Sequence, residues 1–161
     1  MASPETIGDC RYGFIADDIA LNDGDPVAAW ADKTANSNDL AQAVEGSRPT
    51  YQTNEIGAKA VVEFDGGDVL SNASPSNINV ESFSFAAVLK LTVGSASQTV
   101  TLTGSTGQDN GRQLRVDTSN KMHLLKSAVA DLGAQTSALS SSPQLLIVTY
   151  DDGTGVVNFY L

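Results

Sequence analysis

The chain has 161 residues, which suits one domain with its own core, since a domain of about 150 residues buries roughly 70% of its unfolded surface. Nineteen acidic side chains against nine basic ones give a net charge of −10, a poor match for nucleic acid or an anionic membrane. A single Cys and a single His exclude a disulfide scaffold and a Cys/His zinc site, and 41% hydrophobic residues exclude a disordered acidic tail.

The acid is unevenly spread. Residues 1–68 hold 13 acidic and 4 basic side chains, a net −9, whereas residues 69–161 hold 6 and 5, a net −1. One explanation is a solvated surface that keeps the protein soluble. The other is a set of carboxylates that binds a hard cation or faces a basic partner. The start, Met1-Ala2-Ser3-Pro4-Glu5-Thr6, has neither the basic nor the apolar segment of a signal peptide. No stretch approaches 18 apolar residues. The expectation is a protein made in the cytosol that does not insert into a membrane.

Residues 1–11 read as an N-terminal arm, and Tyr12–Ala16 as a strand. Asp17 to Pro26 is a polar loop with four aspartates, Val27–Trp30 is short and apolar, and 31–39 is turn-rich. Residues 39–45 predict a short turn of helix at most. From Ser82 the period is two: Phe83, Phe85, Ala87, Leu89 and Leu91 alternate with more polar neighbours, as in a strand with one face in a core. Val100 and Leu102, then Leu114 and Val116, alternate in the same way. Gln144–Tyr150 is apolar on both faces, as in a central or doubly covered strand. Val156–Leu161 is a further strand. Asp117–Asn120 and Asp151–Gly155 carry hairpin-turn chemistry, and Gly104–Gly111 is a longer polar loop. No linker or repeat divides the chain. Short strands separated by turns predict one all-β domain over residues 1–161, an antiparallel β-sandwich or barrel.

An ordered series adds to this: Trp30-Ala31-Asp32, Asn38-Asp39-Leu40, Arg48-Pro49-Thr50-Tyr51 and Val62-Glu63-Phe64-Asp65-Gly66, then the strand Phe83–Leu91 and a final Val157-Asn158-Phe159-Tyr160-Leu161. It resembles the concanavalin A-like lectin/glucanase superfamily in its laminin-G-like branch, from about Tyr12 to Leu161. The resemblance implies a jelly-roll sandwich that binds or builds rather than catalyses. Two departures stand out. Gly67-Asp68-Val69-Leu70 replaces the family's second Asp pair and aromatic. The sequence also stops at Leu161, where members continue through further strands. The resemblance therefore implies that the last strands come from a longer polypeptide or from a neighbouring chain.

Chemistry-bearing constellations are sparse. Glycosidases of the superfamily carry three carboxylates at alternate positions of one strand, a spacing that puts them on one face. Here Glu63-Phe64-Asp65 is followed by Gly66-Gly67, so Asp65 is expected to organise a loop. His123 reads as a strand histidine facing solvent and Cys10 as a buried or half-buried thiol, with no G-x-S-x-G nucleophile elbow in the chain. The cation that suits oxygen-rich loops is Ca²⁺. Its candidate ligands are Asp23, Asp25, Asp65 and Asp68, although Asn22-Asp23-Gly24-Asp25 is also an ordinary turn. Glycan binding needs an aromatic platform beside polar groups, and Trp30, Tyr51, Asp109, Asn110 and Arg112 are its candidates. Trp30 sits in an apolar segment, where a Trp is more often a core anchor than a sugar platform.

The expectation is thus a non-enzymatic structural or adhesion domain of a phage virion, with no required cofactor. The low charge fraction, the abundance of Ser, Thr and Gly, and the kinds of protein the resemblance covers all favour it. Its partners are other virion proteins or copies of itself. The alternative is a carbohydrate-binding module, with or without Ca²⁺, of a bacterial surface or secreted protein that meets a cell-surface glycan.

Overall fold

The structure is a computed structural model that describes residues 6, 8–76, 82–92, 97–103, 111–126 and 130–161. Its regular elements are antiparallel strands with two 3₁₀ turns, so the all-β expectation holds. The chain separates into two compact units, Met1–Asn77 and Ile78–Leu161, although no linker composition marks the division.

The first unit is built mostly from loops. Strands β1 (Ala29–Trp30) and β2 (Leu40–Ala41) form one short pair, and β3 (Thr50–Ile56) and β4 (Lys59–Glu63) form a hairpin. Residues 24–27 lie along β3: the Gly24 amide donates to the Tyr51 carbonyl at 2.8 Å, and the Val27 amide to the Pro49 carbonyl at 2.8 Å. That alignment buries Val27, Pro49 and Tyr51. Tyr12–Ala16, expected as a strand, forms none. Its backbone is held partly by main chain, with the Lys33 amide donating to the Gly13 carbonyl at 2.8 Å, and partly by side chains. Residues 39–45 form β2 and lead into a 3₁₀ turn at Glu45–Ser47 rather than making a helical turn.

The second unit is a sandwich of two sheets. One has the order β11-β10-β5, with β5 at Phe83–Leu89, β10 at Gln144–Asp151 and β11 at Val156–Tyr160. The other runs β6-β7-β8-β9, with β6 at Gln98–Thr103, β7 at Arg112–Val116, β8 at Met122–Lys126 and β9 at Ala130–Ala134. The period-two pattern sets which face is inward. Leu114, Val116, Met122 and Leu124 from one sheet meet Leu146, Val148 and Tyr150 from the other, with Leu139 between strands. Phe83, Phe85, Val157 and Phe159 pack against this core. Each such side chain, fully buried, stabilises the fold by roughly 1.5–3 kcal/mol. β10 is the central strand of its sheet, as its apolar run predicts. Only one of its faces is covered, however: Leu146 is 0% exposed and Leu145 is 53% exposed.

Two local features carry testable strain. In the β3–β4 hairpin, Ile56 pairs with Lys59 across Gly57 and Ala58, whose φ values are 58° and 62°. A two-residue turn with both φ positive matches the strand twist but suits Gly or Asn, not Ala. Ala58→Gly is expected to raise stability by about 0.5–1 kcal/mol in urea unfolding, because relief of the left-handed Ala outweighs the entropy of Gly. On β9, a Cβ added at Gly133 would lie 3.0 Å from the Val157 Cβ on β11. Gly133→Ala is therefore expected to cost about 1–3 kcal/mol through overpacking where the two sheets approach, read as a lower thermal midpoint.

Candidate functional site

In the first unit the aspartates act on the backbone. The Asp32 carboxylate accepts hydrogen bonds from the amides of Gly13 (2.9 Å), Thr34 (2.9 Å) and Asn38 (2.8 Å), and from the Thr34 hydroxyl (2.8 Å). Asn36 Nδ2 donates to the carbonyls of Cys10 and Arg11. Asn38 Nδ2 donates to those of Arg11 and Ser76, and its Oδ1 accepts the Ser76 amide at 2.7 Å. Trp30 Nε1 donates to the Ile15 carbonyl, and its ring tilts against Phe14 at 5.5 Å. The Trp-x-Asp and Asn-Asp-Leu motifs therefore pin the extended segment Cys10–Ile15. Cys10 is half-buried, and its thiol lies 3.3 Å from the Tyr12 carbonyl.

The four Ca²⁺ candidates do the same kind of work. Asp23 accepts the Thr53 amide and hydroxyl, and Asp25 accepts the Asn22 amide. Asp65 accepts the Gly67 amide at 2.7 Å while its own amide donates to Asp68. Asp65 thus organises a loop, and Glu63 accepts from Gln52 on the neighbouring strand. Among the described residues no group of three or more His, Cys, Asp or Glu side chains converges on a point where a metal ion fits. Asp25, Asp65 and Asp68 read as turn acceptors, the ordinary function of such runs, whereas Asp23 reaches across to Thr53 on β3. Asp17 bridges to Lys59 at 2.7 Å and accepts the Ala60 amide; the lysine first and the amide second hold its carboxyl below the usual range.

The glycan candidates are dispersed. Trp30 is half-buried as an anchor, and Tyr51 is 6% exposed. Asp109 and Asn110 lie outside the described residues. Arg112 is buried at the start of β7. Its guanidinium stands 5.2 Å from the Tyr150 ring centroid and 3.3 Å from Asp152 Oδ1, which also accepts the Tyr150 hydroxyl at 2.9 Å. Burial first, and Asp152 second, push the Tyr150 hydroxyl pKa up. This cluster closes one end of the core rather than presenting a cation to solvent. Its Asp152 falls in the expected hairpin turn, but no sequence signal pairs that turn with Arg112.

The feature best suited to meet another molecule is the outer face of the three-stranded sheet. Strand register sets its rows: Val88 beside Leu145; Ala86, Ile147 and Tyr160; then Ser84, Thr149 and Asn158; then Asp151 beside Val156. Val88 is 63%, Leu145 53% and Tyr160 54% exposed. One end of the face is therefore apolar and wet. The other end carries a shallow depression of about 320 Å³ lined by Ser82, Ser84, Thr149, Asp151, Val156 and Asn158 among others. The apolar run of β10 left two alternatives open, a central strand or one covered on both faces, and the structure makes it central with one face exposed.

The chain matches no family model, no curated protein and no solved structure.

The Asp32 hub gives a direct test. Burial raises the Asp32 pKa, but the amides of Thr34, Asn38 and Gly13 and the Thr34 hydroxyl together hold it below its ordinary 3.8. A lowered folded pKa means that its stabilisation is present above the unfolded value and is lost as pH falls through the folded one. Asp32→Asn, which turns an NH₂ toward donors, is expected to cost about 2 kcal/mol at pH 7. It should also flatten the acid limb of the unfolding profile below pH about 4.

Proposed function

We propose that the chain is a non-enzymatic structural or adhesion domain of a phage virion, with a concanavalin A-like jelly-roll topology. It meets other virion proteins or copies of itself through the outer face of β11-β10-β5. The observation that carries this reading is the apolar, exposed half of that face. Val88, Leu145 and Tyr160 stand more than half exposed beside Ile147 and Ala86, and contiguous apolar surface rimmed by polar groups marks interaction sites. Covering a single one of the large side chains is worth roughly 1.5–3 kcal/mol. The carboxylates described above are engaged by backbone amides, hydroxyls and a lysine, which favours a scaffold over an acid–base site. The resemblance of the Trp-x-Asp to Phe-Asp-Gly series supports the topology.

A second reading, a carbohydrate-binding module, is favoured by the depression at the polar end of the same face. Hydroxyls and an amide from Ser84, Thr149 and Asn158 line it, the groups that sugar hydroxyls pair with.

Antibodies against the purified chain are expected to label intact phage particles from the source organism. A variant carrying Val88→Glu and Leu145→Glu should fold, by its circular dichroism, and yet enter particles at least about tenfold less well, a loss of about 1.4 kcal/mol or more. Label confined to the cell envelope, together with binding to neutral glycans on an array, would replace the virion reading with the second one.

A further inference from the structure

His123, the chain's one histidine, has a carboxylate at each ring nitrogen. Nδ1 lies 2.7 Å from Asp131 Oδ2 on β9, and Nε2 lies 3.1 Å from Asp117 Oδ2 in the turn after β7. The imidazole is largely covered, with 16% of its side-chain surface exposed. A neutral imidazole has one N–H and one lone pair, and only the imidazolium donates from both nitrogens. Loss of the proton therefore converts one charge-assisted bond into a lone pair facing a carboxylate.

The two carboxylates are not equally anchored. Asp117 Oδ1 accepts the amides of Ser119 (2.8 Å) and Lys121 (2.9 Å), so the turn fixes it independently of the ring. Among the described residues Asp131 Oδ1 accepts the Gly133 amide alone, from its own strand, at 3.0 Å. β9 is the edge strand of its sheet, and its register against β8 shifts between Leu124 and Leu125, beside Asp131. The first half of β9 thus depends on the histidine more than the turn does.

We propose that His123 is a proton-operated latch: protonated, it ties the edge strand β9 to the β7–β8 turn, and deprotonated, it lets Ala130–Leu132 detach and uncovers the backbone edge of β8. The charged groups around it are Asp131 from β9, Asp117 from the turn, Arg115 as its register partner on β7, and Lys121 just before β8. The two carboxylates hold the proton. Burial is the largest single influence and pulls the imidazole pKa down. The hydrogen bonds and charges of Asp131 and Asp117 together outweigh it and leave the pKa above its ordinary 6.5. A raised folded pKa gives stabilisation that is complete below the unfolded value and is lost as pH rises through the folded one. The Lys121 amide first, with further help from His123 and the Ser119 amide, holds the Asp117 carboxyl below 3.8 against its own desolvation. The latch is therefore closed below the raised imidazole pKa and opens as pH rises through it.

A lone histidine gives a single imidazole Cε1–H resonance, so its titration can be followed by NMR from pH 5 to 9. The midpoint is expected above 6.5. Amide exchange at Asp131 and Leu132, corrected for intrinsic base catalysis, should lose about tenfold of its protection across the same titration, while β10 keeps its protection. Asp131→Asn should lower the midpoint and remove the step in β9 exchange. His123→Gln should leave β9 in its open state at every pH while β10 stays protected. A midpoint at or below 6.5, flat β9 protection while the ring titrates, or a step that survives in Asp131→Asn would overturn the latch.

Discussion

A carboxylate holds the first unit together. The extended segment Cys10–Ile15 lies along no strand, and backbone groups without a ladder must find partners among side chains or water. Asp32 draws Gly13, Thr34 and Asn38 to one point, and Asn36 and Asn38 take up the carbonyls of Cys10, Arg11 and Ser76. Three stretches distant in sequence thereby become one layer. A hydrophobic contact could not replace this arrangement, because the groups to be satisfied are polar and partly buried. The same solution recurs with Asp17 at Ala60 and Asp23 at Thr53, each carboxylate reaching across to a distant amide.

The second unit rests on burial. Its strands alternate, its two sheets interleave Leu, Val, Met and aromatic side chains, and its ladders satisfy the backbone between strands. Side chains there need not serve the main chain, so the outward positions are free to take other characters. On the β11-β10-β5 sheet they turn apolar at one end and hydroxyl-rich at the other. On the β7-β8-β9 side they gather Arg115, Asp117, His123 and Asp131.

This difference also explains what the sequence disclosed. Period two located β5, β6 and β7, because burying one face of a strand writes the alternation directly into the residues, and apolar or β-rich runs located β10 and β11. Neither signal revealed β9. Ala130-Asp131-Leu132-Gly133-Ala134 has little β propensity, and its place depends on Leu132 reaching the core and on Gly133 clearing Val157, a residue far along the chain. Tyr12–Ala16 looked like a strand because its composition is that of one, whereas its partners are side chains and scattered amides such as that of Lys33, which no periodicity marks. Asp65 was legible as a loop organiser, whereas Trp30, Asp32 and Asn38 stood out only as motif members and their work on the backbone emerged from geometry. Arg112 looked like a loop cation and is instead packed on Tyr150, through a contact between strands that are not sequential. The exposure of Leu145 was hidden for a related reason: an apolar residue on a strand says that a face is apolar, not that it is covered.

The charge asymmetry follows from these two ways of building. Acceptors for orphan amides are most effectively carboxylates, because a charged acceptor makes a stronger bond than a neutral one. A loop-built unit therefore accumulates aspartate, and residues 1–68 carry −9. A ladder-built unit needs few, and residues 69–161 carry −1. The acid excess thus has a structural cause before it has any functional one. The consequence for association runs the opposite way to the simplest reading of a strongly acidic chain. Contact through an acidic surface desolvates carboxylates that also hold the backbone, whereas contact through Val88, Leu145 and Tyr160 desolvates no charge. The nearly neutral unit is the one whose surface can be covered at least cost.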